Sequence, residues 1–153
     1  MPDTDETVTV ERIIPAPPDK IFDLLADPAK HREIDGSGTV RNCKGGSQRL
    51  ALGSKFGMSM KIGIPYSMVS TVIEFDEDRR IAWQTWPPVK FSDKLAGGRI
   101  WRYELEPVDG GTRVTETWDI SQERVKVFVR AARNKTRENM EQTLARIEQL
   151  VTA

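Results

Sequence analysis

From Gln122 to Val151 the chain carries neither proline nor glycine, and apolar or small residues recur there at helical spacing: Val125, Phe128, Val129, Ala132, Thr136, Met140, Thr143, Leu144, Ile147 and Val151. One uninterrupted amphipathic helix is expected, with Lys, Arg, Glu and Gln on its back face. About 28 residues at 1.5 Å each would span about 42 Å. A helix that long needs a surface to lie across.

The residues before it supply one. Thr7 to Ile14 alternates weakly and reads as a strand. Thr39 to Cys43 reads as another. Lys55 to Ile62 alternates Phe56, Met58, Met60 and Ile62 against polar or small residues, and Ser67 to Asp76 alternates Val69, Thr71, Ile73 and Phe75. Arg80 to Trp86 sets Ile81, Trp83 and Thr85 on one face, and Gly98 to Glu106 sets Trp101, Tyr103 and Leu105 on one face. Asp109-Gly110-Gly111 is a hairpin signal, with Thr112 to Ile120 as the returning strand. A simple register places Val114 near Leu105, Glu116 near Tyr103 and Trp118 near Trp101; one residue of slip would reverse every facing.

Between the first strand and the others, Pro15, Pro17 and Pro18 stop the strand and open a short helix, with Asp19 in its first turn and Ile21, Phe22, Leu24 and Leu25 as its apolar stripe. Asp27-Pro28 ends it, and a second short helix is expected over Pro28 to Ile34. Asp35-Gly36-Ser37-Gly38 reads as a flexible turn. Met1 to Glu6 reads as a flexible leader on a single domain spanning 1–153, with neither the basic start nor the apolar stretch of a signal peptide.

The run Ile14-Pro-Ala-Pro-Pro-Asp-Lys-Ile-Phe22, continued through Ala26-Asp27-Pro28, resembles the opening signature of the START-like (SRPBCC) superfamily in its polyketide cyclase/dehydrase branch. Trp101-Arg-Tyr-Glu-Leu-Glu-Pro-Val-Asp-Gly-Gly-Thr-Arg-Val-Thr-Glu-Thr-Trp-Asp119 is similar to that family's last hairpin. The resemblance implies an α+β helix-grip fold: one curved antiparallel sheet of about seven strands around a long C-terminal helix. It also implies a cavity for something small and largely apolar. It carries over no catalytic set, since the branch includes lipid carriers, hormone receptors, cyclases and chaperone activators. Where related chains often carry a tryptophan after Asp-Pro, this one has His31-Arg32-Glu33-Ile34-Asp35, which implies a more polar cavity mouth.

Composition narrows the function classes. Lys+Arg and Asp+Glu are 23 each, a formal net charge of +0, so no overall field draws the chain to nucleic acid or an anionic membrane. A lone cysteine, Cys43, rules out an intrachain disulfide and fits the cytoplasm. There is no apolar run of about 18 residues. One His and one Cys cannot assemble a His/Cys zinc site, no phosphate-loop spacing occurs, and no cofactor is expected. A monomer or homodimer is compatible with the sequence.

The candidate ligand wall is Met58, Met60, Trp83, Trp101, Tyr103 and Trp118 from the strands, with Phe128, Val129, Ala132, Thr136 and Met140 from the helix. Aromatic and thioether side chains suit flexible apolar ligands, and equally fill a core. Glu116 alternates with Val114 and Trp118, which puts a carboxylate on the inner face. There it must be paired, hydrogen-bonded or protonated, with Tyr103 and Arg99 as possible partners. Such a group is either a structural acid or a general acid/base, with Tyr103 as helper. His31, between Lys30 and Arg32, reads as exposed, and Cys43 as packed or at an edge. Pro87 to Gly98 is either a cap on the pocket or a long hairpin connection. The function expected is a carrier or sensor of a lipid, isoprenoid or polyketide-like molecule, with Tyr103, Glu116 and Arg99 fixing its orientation. A cyclase/dehydratase and a protein-interaction module are the alternatives.

Overall fold

The computed structural model describes residues 6–37, 40–44, 48–62, 64–87, 97–124 and 126–153; the side chains of 40–44, 60–62, 64–66 and 128 lie outside that description. The elements run β1 (Thr7–Ile14), α1 (Pro18–Leu25), a 3-10 turn (Pro28–Lys30), α2 (His31–Ile34), β2 (Val40–Lys44), β3 (Lys55–Ile62), β4 (Ile64–Asp76), β5 (Arg80–Trp86), β6 (Arg99–Val108), β7 (Gly111–Asp119), α3 (Lys126–Ala131) and α4 (Arg133–Thr152).

The strands form one antiparallel sheet in the order β1-β7-β6-β5-β4-β3-β2: six strands of seven to thirteen residues and a five-residue strand, β2, at one edge. β1 and β2 sit at opposite edges, so the 25 or so residues joining them must travel the width of the sheet. They do so as α1, the 3-10 turn and α2. The buried face of α1 is Ile21, Phe22 and Leu25, and Phe22 meets Phe75 of β4 edge-on at 5.4 Å. Pro17 and Pro18 open α1 without a side-chain cap. The 3-10 turn is capped by Asp27, whose carboxylate accepts from the Ala29 N–H at 3.0 Å. Asp27→Ala is expected to lower stability by about 1 kcal/mol in urea denaturation; no change would mean that solvent replaces the cap.

The β6–β7 hairpin has the expected register, with Leu105 opposite Val114, Tyr103 opposite Glu116 and Trp101 opposite Trp118. Gly110 sits at φ +84° and Gly111 at φ +156°. A Cβ on Gly111 would lie 2.0 Å from the Ile14 carbonyl oxygen, where β1 turns away past the hairpin.

Three readings need correction. The C-terminal helix is not uninterrupted: the Ala132 N–H bonds the Val129 carbonyl at 3.1 Å, a tighter 3-10 closure that separates α3 from α4. Such a closure needs neither proline nor glycine, so their absence did not reveal it. In β4 the inward residues are Ser70 and Val72, not Val69 and Thr71, and Ile73 is 36% exposed; the register shifts between Val72 and Glu74, beyond which Phe75 packs against the core. Glu6 is no free leader residue, since it pairs with Lys126 at 2.8 Å and Arg130 at 3.3 Å.

α4 lies against β1 with Met140, Thr143, Leu144 and Ile147 buried. It is fastened at β1 by Arg12, which reaches Glu148 with two guanidinium nitrogens at 3.1 and 3.3 Å. A second fastening is the turn after α2. The Gly36 N–H donates to Thr143 Oγ1 at 2.9 Å, and Arg146 donates to the Asp35 carbonyl at 2.6 Å. The turn expected to be flexible is therefore seated on the helix. Among the described residues no helix is long and apolar enough to cross a membrane.

Candidate functional site

Strand alternation and the register place Glu116 (β7), Tyr103 (β6), Trp83 (β5) and Phe56 (β3) on the face of the sheet that is buried by the helices. The Tyr103 hydroxyl donates to Glu116 Oε2 at 2.9 Å. Glu116 Oε1 is fully buried and is the one buried side-chain polar atom without a hydrogen-bond partner among the described residues. Burial pushes the carboxyl pKa up to about 8, helped by the negative charge of Asp35 and opposed by the Tyr103 bond. Burial, then the Glu116 charge and the bond to it, raise the Tyr103 phenol well above its ordinary value. At neutral pH the pair is therefore mostly a protonated acid beside a neutral phenol.

His31 overturns its expectation. It is 6% exposed, and its ring stacks on Trp83 at 4.8 Å and 20°. Phe56 meets His31 edge-on at 5.4 Å and Trp83 at 5.6 Å, and Tyr103 lies 5.6 Å from Trp83. Nε2 sits 2.9 Å from the Leu25 carbonyl, which can only accept, so that nitrogen carries the proton. Burial lowers the His31 pKa to about 4, against the raising effect of the Leu25 bond. The signal was present in the sequence: Pro28, His31 and Ile34 are spaced by three, and all are buried. Flanking Lys30 and Arg32 obscured it.

Arg99 is no partner of Glu116. It binds Glu123 at 3.2 Å, in the link from β7 to α3, and the same 4%-exposed carboxylate accepts from the Gly97 N–H. Sequence periodicity gave no sign of Glu123, which fell within the expected helix but lies before α3, outside any element. Met58, Trp83, Trp118, Val129 and Met140 are buried, Trp101 and Thr136 half-buried, and Ala132, at the break between α3 and α4, exposed. The side chains of Met60, Phe128 and Cys43 lie outside the described residues, as does the 88–96 portion of the Pro87–Gly98 connection.

A solvent-open cleft of about 290 Å³ runs between β1 and α4, lined by Thr9, Val10, Glu11, Arg12, Arg137, Glu141 and Leu144. Val10 is the cross-strand partner of Glu116. The cleft therefore reaches a side chain that neighbours the buried acid. No group of three or more His, Cys, Asp or Glu suited to a metal occurs among the described residues.

Comparison with known proteins agrees with this architecture. The sequence model of the family described as polyketide cyclase/dehydrase and lipid transport matches residues 5–152. Uncharacterized protein Rv0088 of Mycobacterium tuberculosis is 40% identical over 108 residues, 69% of this chain, and the chain spans about 44% of that protein's length. The solved structure of CV1439 from Chromobacterium violaceum superposes with TM-score 0.74 at 15% identity, over 98% of this chain and 99% of that one. A protein from Arthrobacter aurescens gives 0.76 at 13% identity (99% and 90%), and the AHSA1-like protein of Aeromonas hydrophila 0.68 at 14% (95% and 92%). These structures share the fold, and the sequence match places the chain in the polyketide cyclase/dehydrase and lipid transport family.

Proposed function

We propose that the protein binds a small, largely apolar molecule between the sheet and α4, as a carrier or sensor acting in the cytoplasm as a monomer or homodimer. The observation that carries this reading is the buried, unpartnered Glu116 Oε1 beside Tyr103, whose ring adjoins the Trp83, Phe56 and His31 cluster. A core that served stability alone would satisfy or omit that atom. A lipid, isoprenoid or polyketide-like molecule fits such surroundings, and apolar burial at roughly 25 cal/mol per Å² would supply most of the affinity. Side chains now close over Oε1, so a ligand enters by displacing them; the cleft beside Val10 is the proposed route.

Native mass spectrometry of freshly expressed protein, followed by denaturing extraction, tests the reading. A stoichiometric apolar molecule is the expected result. An empty protein that also fails to bind an environment-sensitive apolar dye would overturn it and favour an interaction module. A second reading, a cyclase/dehydratase, is favoured by one observation: a carboxyl that titrates near neutrality beside a phenol. If that reading holds, Glu116→Gln abolishes turnover of a bound polyketide while binding survives.

A further inference from the structure

We infer that Glu116 acts on the ligand as a hydrogen-bond donor through Oε1, so the molecule taken up is uncharged at its polar end and bears a carbonyl-type acceptor. The inference deepens the ligand-binding reading and rests on it.

The two carboxyl oxygens are not equivalent. Oε2 accepts the Tyr103 hydroxyl at 2.9 Å, and Tyr103 has only that proton to give. A protonated carboxyl accepts best at its carbonyl oxygen, so the Tyr103 bond assigns the carbonyl role to Oε2 and the proton to Oε1. Oε1 is the oxygen without a partner. The result is a fixed O–H donor on the inner face, next to Tyr103, whose ring in turn lies 5.6 Å from Trp83 in the cluster with Phe56 and His31.

Its surroundings keep the proton in place. The titratable groups facing it are Tyr103 from β6 and Asp35 from the turn after α2, with neutral His31 beyond Trp83. Its β1 neighbour is Val10, and the buried residues of α4 are uncharged. Among the described residues no cation stands out against Glu116, so a ligand carboxylate would add a second negative charge to that of Asp35. A ketone or ester oxygen would supply the missing acceptor without charge.

The test uses the full chain and two fluorescent probes, 6-propionyl-2-dimethylaminonaphthalene, which carries an aryl ketone, and its 6-propyl counterpart, which lacks the oxygen. At pH 6 the ketone is expected to bind about tenfold tighter than the propyl probe, with the red-shifted emission of a hydrogen-bonded carbonyl. That preference should vanish at pH 9, above the titration near 8. Glu116→Gln keeps an N–H donor that does not titrate, so its preference should persist from pH 6 to 9. Glu116→Leu should bind both probes alike. Should the leucine variant not fold, the pH comparison between wild type and Glu116→Gln decides alone. Saturable binding of both probes with equal affinity in the wild type would overturn the donor role and leave the carrier reading intact. Tighter binding of the matching 6-carboxylate at pH 6 would also overturn it. Binding of no probe would overturn the carrier reading and this inference with it.

Discussion

Glu116→Gln is expected to gain stability over the wild type as pH rises from 4.5 to 8, by up to about 5 kcal/mol. The unfolded chain releases the Glu116 proton near 4.5, and the folded chain holds it to about 8. Between those values the folded state binds more protons, so wild-type stability falls with rising pH; below 4.5 both states are protonated and the penalty is absent. The separation, at 1.36 kcal/mol per pH unit, sets the upper size of the effect. His31 has the opposite sign. Its folded pKa of about 4 lies below the unfolded 6.5, so its contribution is complete above 6.5 and is lost as pH falls toward 4, by about 3 kcal/mol. The two slopes oppose each other from about 4.5 to 6.5. Wild-type stability should be nearly level there and fall from 6.5 to 8. Urea denaturation of wild type and Glu116→Gln at half-unit steps of pH reads both effects. Parallel curves from pH 5 to 8 would show that the carboxyl is not held protonated inside.

That an acid is retained at such a cost was partly legible in the sequence. Alternation through Val114, Glu116 and Trp118, anchored by Asp109-Gly110-Gly111, gave both the facing of Glu116 and its neighbour Tyr103, because hairpin register follows from turn geometry. The order of elements gave the architecture. What stayed hidden depends on contacts distant in the chain. Arg99 turns to Glu123, 24 residues on, rather than across the sheet to Glu116. The β4 facing changes at a bulge that no residue type announces. His31 was hidden by its charged neighbours, although exposed Lys30 and Arg32 flank a buried ring on a short helix without contradiction.

Gly36→Ala is expected to destabilise the protein by about 3 kcal/mol, because the turn it occupies has no room for a methyl group. A Cβ at Gly36 would lie 2.1 Å from the Asn139 carbonyl oxygen and 2.7 Å from both Thr143 N and Gln142 Cβ. The first two are α4 backbone, which cannot swing aside as a side chain would, so the turn itself must lift. Lifting breaks the Gly36 bond to Thr143 Oγ1 and the Arg146 bond to the Asp35 carbonyl. For a chain of this size the thermal midpoint should fall by roughly 6–12 °C. Thr143→Val, which removes the hydroxyl but adds no bulk, should lose only about 1 kcal/mol. Gly36→Ala also reaches the buried acid, because Asp35 is the charge that helps raise Glu116. Moving Asp35 away lets Glu116 ionise at lower pH, so the fall in stability with pH should end earlier than in the wild type. A general loss of packing would lower the whole curve without moving that end point. A variant that melts within 2 °C of wild type would mean the turn is not seated on α4, and would remove the physical link between the helix and the acid beneath it.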